Sequence, residues 1–594
     1  MQPGGTPRHS APRGPRPFLA RLARDAGGNA LAIVGAALIP LTAMIGGGVD
    51  ISRAYMAKAR LQSACDAASL AGRRVMTNDT FNQAVINESN KFFNFNYPQG
   101  LYGTNAFTPV VTKPSSGVIK VAATTTIPTG IMHLFGFATM NLAVECEAEQ
   151  NFINTDVMLV LDVTGSMAES VDGGVKIVAL REAVMALYDE LAPIQTELEA
   201  NNMRLRYGAV PYSSSVNVGG IVRAVNSDYI SSNWTYQSRT AIYDTTTQET
   251  FANKTSTQCD AYRVARTPAN SYPATEKTVY RPGSGTSRDC VVTTHNFTTA
   301  AVGTFSHWLH QPVVHNTSVY KTGASVPVPT RLPGTTQNAT WAGCIEERET
   351  VDTITSSSGY NIPSGANDLD LDLIPTTEDT RWRPLWPEVS YIRSGTAGQD
   401  RTTAESDVWS LNAYAAQGYV ACPAAAVRLT NWTRGNMQTY VNSLLPIGGT
   451  YHDIGMIWGG RMISDQGIFG ADNPTTWNSM PVNKHIIFMT DGQLAPNNTV
   501  YSSYGVEYLD QRVTGSPSAA NQYSKHEQRF KMMCNAIKGK NVSIWVISFD
   551  TALSAALTEC ASNASQTSVS SSKAQLIAKF REIGKNIGAL RLTK

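Results

Sequence analysis

The 594-residue sequence lacks most of what would place it among enzymes or nucleic-acid binders. It has no excess of either charge: 48 Lys and Arg stand against 46 Asp and Glu, a net of +2. Without a strong field there is nothing to hold a polyanion by counterion release, so nucleic acid is not an expected partner. Only 16% of residues are charged, against a typical ~25%. Thr, Ser and Asn fill the gap, as in extracytoplasmic β-rich proteins. Cysteines number eight, with no C-x-x-C, which excludes zinc ribbons and thioredoxin-type redox motifs. There is no G-x-S-x-G elbow, no P-loop and no H-E-x-x-H, and no carboxylate pair for glycoside or peptide hydrolysis can be picked out. No enzymatic activity is expected.

What is present begins with a membrane signal. From Ala26 to Val49, 24 residues carry no charge; as a helix they span roughly 36 Å, enough to cross ~30 Å of hydrocarbon. Arg8, Arg13, Arg16, Arg21 and Arg24 precede them against a single acid, Asp25, which predicts a cytoplasmic N-terminus. A cleaved signal peptide is the alternative. Against it, the apolar stretch exceeds the usual ~7–15 residues and runs into a helical stripe of Ile51, Tyr55, Lys58, Leu61, Cys65 and Ala68, with Gly72 as its stop. Every cysteine follows this stretch, so all eight are expected outside the cytoplasm and disulfide-bonded.

The segment from Arg24 to Gly72 resembles the N-terminal module of TadE/TadG-like Flp-pilus assembly proteins. Asp50, Arg53, Tyr55, Leu61, Gln62, Ala64, Asp66, Ala67, Ala68, Leu70, Ala71 and Gly72 follow that family's order, with Cys65 where the family has a small residue. Residues 76–150 read as a small β-rich segment, from alternation such as Leu142, Val144, Cys146 and Ala148.

A different texture starts at Asp156. The unbroken apolar run from Val157 to Leu161 suits a parallel strand buried on both faces. A helix with Ile177, Leu180, Val184, Leu187 and Leu191 in one stripe follows, then a strand over Leu205–Tyr212. After a long interruption come a helix near Met437–Leu445, strands over His485–Met489 and Val542–Phe549, and a closing helix through Leu576, Phe580, Ile583, Ile587 and Leu590. The expected fold is α/β, a doubly wound, mostly parallel Rossmann-like sheet. Ligands bind such sheets at the carboxyl ends of strands. There stand Asp162, Thr164 and Ser166 after the first strand, Asp491 after Thr490, and Thr450 after two glycines. All offer hard oxygen, which favours Mg²⁺ (Ca²⁺ or Mn²⁺ as alternatives) over zinc. Each motif alone reads as a cap or a turn; together, in this order, they point to a metal.

This set resembles the metal-ion-dependent adhesion site of von Willebrand factor A domains, with Thr164 in place of the first Ser. The resemblance implies ligands at Asp162, Thr164, Ser166, Thr450 and Asp491, and an open coordination position for a partner's acidic side chain. Thr450 lies 288 residues after Asp162, so an insertion must intervene. The expected organisation is a cytoplasmic basic tail (1–25), a transmembrane helix (26–49), its helical extension (50–75), the β-rich segment (76–150), and an A domain in two parts (155–217 and 431–594) around an inserted domain (218–430).

The segment of the insert around Cys344 to Arg348, and that around Cys422, resemble the family's cysteine-bearing segments, which implies a Cys344–Cys422 pair. Cys259–Cys290 is then a local pair. Cys534 and Cys560 flank the last long strand, and a bond there is worth about 3 kcal/mol in the chain-entropy model. Cys65–Cys146 remains, with 105 connectivities formally open. His295, His307, His310 and His315 match no metal signature and read as loop histidines. Asp368, Asp370 and Asp372 alternate with leucines and read as a solvated strand edge.

The resemblances together imply a non-enzymatic pilus assembly or anchoring protein of the bacterial inner membrane. It is single-pass, with its bulk in the periplasm and other Tad proteins or pilin as partners. A surface adhesin using the same metal site is the alternative.

Overall fold

The computed structural model describes residues 26–76, 81–115, 117–149, 154–266, 272–329, 333, 335–393, 401–402, 420–478, 480–588 and 591–592. The basic tail expected over residues 1–25 lies outside the described residues, as does Leu590. The chain divides into two compact units, Met1–Phe152 with Ala589–Lys594, and Ile153–Gly588.

The first unit is built on α1, a helix over Ala26–Val75 that continues through Pro40. Its described part from Ala32 is long and apolar enough to cross a membrane. In its second half the buried stripe is Ala54, Ala57, Leu61, Ala64, Cys65 and Ala68, whereas Ile51, Tyr55 and Lys58 are exposed. The C-terminal half of the expected stripe (Leu61, Cys65 and Ala68) faces the core, whereas toward the N-terminal side the small Ala54 and Ala57 replace Ile51, Tyr55 and Lys58, letting a neighbour approach closely. That neighbour is α2 (Gln83–Asn96), capped by Asn82 and burying Val85, Ser89 and Phe93. This helix departs from the β-rich expectation for 76–150. Gly72 does not stop α1. A Cβ there would lie 2.1 Å from Ser89 Oγ, so the glycine is the crossing point of the two helices. Strands β1 (Val118–Pro128) and β2 (Thr139–Glu149) pair antiparallel, flanked by Val110–Thr112 on one side and Arg591–Leu592 on the other. The last of these corrects the assignment of 431–594 to the A domain alone.

The second unit is mixed α/β. Its main elements are β3 (Asn154–Asp162), α3 (Lys176–Ala200), β4 (Leu205–Tyr212), β5 (Val427–Thr430), α4 (His452–Ile463), β6 (Met480–Thr490), α5 (Gln522–Gly539), β7 (Val542–Phe549), β8 (Thr567–Ser570) and α6 (Lys573–Ile587). The sheet runs β5-β4-β3-β6-β7-β8. β4, β3, β6, β7 and β8 are parallel, and β5 closes the edge antiparallel. Strand β5 therefore belongs to the sheet and not to the insertion that 218–430 was expected to form. Met158 and Val160 share a core with α4 and α5; Val157, Leu159 and Leu161 alternate to the other face, and α3 packs along α6.

The interrupting segment carries a sheet of its own, with Asn233–Lys254 paired to both Arg288–Thr298 and Thr304–Asn316. Disulfides join Cys65–Cys146, Cys259–Cys290, Cys344–Cys422 and Cys534–Cys560. The histidines do not converge: His295 bonds Asp244, His307 bonds Tyr272, and His310 lies on the strand face opposite His307 and His315. The aspartates depart from the solvated-edge reading. None is on a strand: Asp368 is fully buried on Arg529 and Tyr504, Asp372 pairs with Lys540, and Asp370 alone is exposed as expected.

The interrupting segment is seated by buried charge. Glu347 accepts from Trp458 Nε1 (2.6 Å), Arg461 (2.9 Å) and Trp382 Nε1 (3.2 Å). Glu346 accepts from Tyr501 OH (2.6 Å), Trp234 Nε1 (2.9 Å) and Arg512 (3.3 Å). Burial pushes the Glu347 carboxyl up, but Arg461 and Arg348 outweigh it and hold the group below its usual value. Removing one partner of a buried pair strands the other, at about 3–5 kcal/mol. Glu347→Ala is expected to lose stability on that scale, and Glu347→Gln less, read as a lowered urea midpoint by tryptophan fluorescence, with Trp382 and Trp458 as the reporters.

Candidate functional site

Parallel register builds the site. Leu161 of β3 pairs with Met489 of β6, so Asp162 and Thr490 end adjacent strands at the same edge. Thr490 Oγ1 donates to Asp162 Oδ2 (2.8 Å), and Tyr212 OH at the end of β4 reaches the same oxygen (3.3 Å). Asp162 Oδ1 accepts from the backbone N–H of Thr164 (2.9 Å), fixing the turn that presents Thr164 and Ser166. Thr164 Oγ1 and Ser166 Oγ are 3.0 Å apart, and Ser166 Oγ donates to Asp491 Oδ1 at 2.8 Å.

The Gly448–Thr450 segment is stitched onto this loop. Gly165 N–H donates to Gly448 carbonyl oxygen (2.9 Å) and Ile447 N–H to that of Val163 (2.8 Å). A Cβ on Gly492 would lie 3.7 Å from Thr450 Oγ1 and 3.8 Å from Ser166 Oγ, so both hydroxyls face the small space that the glycine leaves open. All five expected residues are thus brought together, from three loops.

The site is electrostatically loaded. Burial, then the charge of Asp491, pushes the Asp162 carboxyl up to about 6. Burial likewise raises Asp491. Asp491 Oδ2 faces the Lys176 ammonium at 3.3 Å. Lys176 also pairs with Glu169 (3.1 Å) and Asp550 (3.2 Å).

The donor set fits a hard divalent cation. Neighbouring ligands in an octahedron with ~2.0–2.1 Å bonds lie about 2.9 Å apart, and the Thr164–Ser166 and Ser166–Asp491 separations are 3.0 and 2.8 Å. The space that Gly492 leaves beside the Thr450 and Ser166 hydroxyls points the same way. Sequence reasoning missed the supporting residues. Asp550 follows β7 at the same strand edge and was findable by that rule. His452, whose Nε2 lies 3.0 Å from Thr490 Oγ1, and Lys176 carry no such signal.

Comparison with known proteins gives one family match: residues 28–74 fit the model described as putative Flp pilus-assembly TadE/G-like. No curated protein matches. Among solved structures, the pilus adhesin SpaC from Lactobacillus rhamnosus GG is similar at 10% identity and TM-score 0.29 over 81% of this chain, which spans 34% of that one. The vWF domain of the type V pili tip protein Mfa5 from Porphyromonas gingivalis is similar at 10% identity and TM-score 0.26, covering 73% of this chain and 95% of that. The PilB minor pilin from Streptococcus sanguinis is similar at 11% identity and TM-score 0.29, covering 81% and 77%. At such scores the residue-level assignments rest on the geometry above. The similarity to the TadE/G-like Flp pilus-assembly model thus falls within the N-terminal helix.

Proposed function

We propose that the chain is a non-enzymatic assembly or anchoring component of Flp (tight adherence) pili, of the TadG type. In this reading α1 holds it in the bacterial inner membrane with the bulk in the periplasm, and the second unit is a doubly wound von Willebrand A domain. Asp162, Thr164, Ser166, Thr450 and Asp491 hold Mg²⁺. When bound, the ion supplies a coordination position for a carboxylate oxygen from a pilin or another Tad protein. The chain's own residues do the rest: Thr490 and Tyr212 aim Asp162, Thr164 and Ser166 supply hydroxyl oxygens, and Lys176 offsets Asp491. The observation that carries the proposal is the convergence of five oxygen-bearing side chains at one sheet edge, in a chain whose N-terminus bears a pilus-assembly domain.

The ion has a thermodynamic signature. The Asp162 carboxyl titrates near 6 in the fold against 3.8 when unperturbed. Between those values the folded state holds more protons than the unfolded one, so this group's contribution to stability falls as pH rises from about 4 to about 6. In chelator, Asp162→Asn is expected to gain on the unsubstituted protein across that window. At pH 7, Mg²⁺ is expected to raise the Tm of the unsubstituted protein and not that of Asp491→Ala, as read by differential scanning fluorimetry.

Capture tests the role. Partner retention in pull-downs from crosslinked cells is expected to be lost with chelator and with Asp491→Ala while the fold survives. Capture by Asp491→Ala at the original level would overturn the metal mechanism. Recovery in the inner-membrane fraction supports assembly; release or surface display would replace it with the adhesin reading.

A further inference from the structure

Asp50 ends the uncharged run of α1, and its carboxylate accepts three backbone N–H groups: Gly130 (2.7 Å), Ile131 (3.0 Å) and Met132 (2.9 Å). Arg53, one turn on, donates to Tyr102 carbonyl oxygen (2.9 Å) and reaches that of Pro128 (3.4 Å) at the base of the same loop. The loop also lies flat on the helix one turn earlier. A Cβ on Gly46 would come 2.4 Å from Ile131 Cγ2, and one on Gly47 3.8 Å from Met132 Sδ. These contacts fix the loop's height at the C-terminal end of the apolar span.

Two of the loop's other apolar side chains are turned outward, while Phe135 is half-buried. Leu134 is 71% exposed and Phe137 62%, level with helix residues such as Ile45 (60%) and Val49 (53%) that are exposed as well. From Val121 to Val144 the sequence contains no Asp, Glu, Lys or Arg. An outward-facing, uncharged loop clamped beside the end of a membrane-length helix presents one continuous apolar surface with it.

We infer that residues 130–137 form a second membrane contact, with Leu134 and Phe137 entering the headgroup–hydrocarbon boundary of the bilayer that α1 crosses. The occupant is lipid, because the loop continues the lipid-facing surface of the span and carries no charge for a polar partner. The contact makes α1 a braced anchor, its outer end held at a set depth by a side loop. This rests on the membrane-anchor reading of α1.

All eight cysteines are in disulfides, so an introduced cysteine is a unique thiol. The full chain is labelled with the fluorophore NBD at Ile39→Cys, Leu134→Cys, Phe137→Cys or Phe95→Cys and reconstituted in phosphatidylcholine vesicles. Phe95 is the aqueous ruler. It is 83% exposed on α2 near Asn96, whose carbonyl oxygen accepts from Arg60, about 15 Å along α1 from Asp50. Quenching at 134 and 137 by doxyl-labelled lipid, with blue-shifted emission and loss of iodide access relative to 95, is the expected result. Iodide quenching at both loop positions equal to that at 95, with position 39 quenched by lipid, would overturn the loop contact and leave the anchor standing. Position 39 open to iodide would overturn both.

Discussion

Two carboxylates, Asp162 and Asp491, end neighbouring parallel strands with almost no access to water, and the architecture of the second unit is organised around keeping them there. Burying like charges side by side is unfavourable, which is why the Asp162 carboxyl is displaced upward. Part of the penalty is offset internally, by the Thr490 hydroxyl, the Thr164 N–H and the Lys176 ammonium. Lys176 is itself shared with Glu169 and Asp550, so the cluster remains acid-rich. In the function proposed, a divalent cation would complement that residue of negative charge, with the hydroxyls of Thr164, Ser166 and Thr450 adding oxygen donors without adding repulsion.

The long interruption between β4 and β5 serves the same edge. Its Glu346 and Glu347 reach into the core of the second unit, one on Arg461 and Trp458 of α4, the other on Tyr501. Tyr501 lies ten residues after Asp491, in the loop leaving β6, and it packs with Cys344, Leu385, Val420 and Val506. The Cys344–Cys422 bond ties the two ends of that seat. Buried ion pairs are weak evidence for stability but strong evidence for a single geometry, since any other placement strands a charge. The loop beside Asp491 is therefore held by the interrupting segment as well as by the sheet.

The legible parts of the sequence were those where one period and one chemistry agree. The run Val157–Leu161 announced β3, and the positions of Asp162, Thr164, Ser166, Thr450 and Asp491 announced that their loops would meet, because strand ends at one sheet edge are determined by register. The illegible parts depended on contacts distant in sequence. Asp368 looked like a solvated residue because nothing local reveals that Arg529, 161 positions later, will meet it in the core. Strand β5 was absorbed into the interruption because four residues carry too little periodicity to declare a sheet edge. The N-terminal half of the α1 stripe was misplaced for a related reason: Ala54 and Ala57 score as bland beside Ile51 and Tyr55, yet they are the ones that are buried.

The same lesson revises what the N-terminal motif is for. In sequence, Asp50 reads as the end of a hydrophobic run and Arg53 as a flanking charge. In the fold, both are spent on backbone groups of the 102–132 region rather than on solvent. A carboxylate that takes three N–H groups can be replaced by no other side chain of its size without leaving donors unpaired. Placed immediately after the apolar run, it holds the connection between β1 and β2 against α1 at the C-terminal end of that run. The order of charge after apolar span is thus a structural instruction, which converts a lone helix into a helix with a buttress.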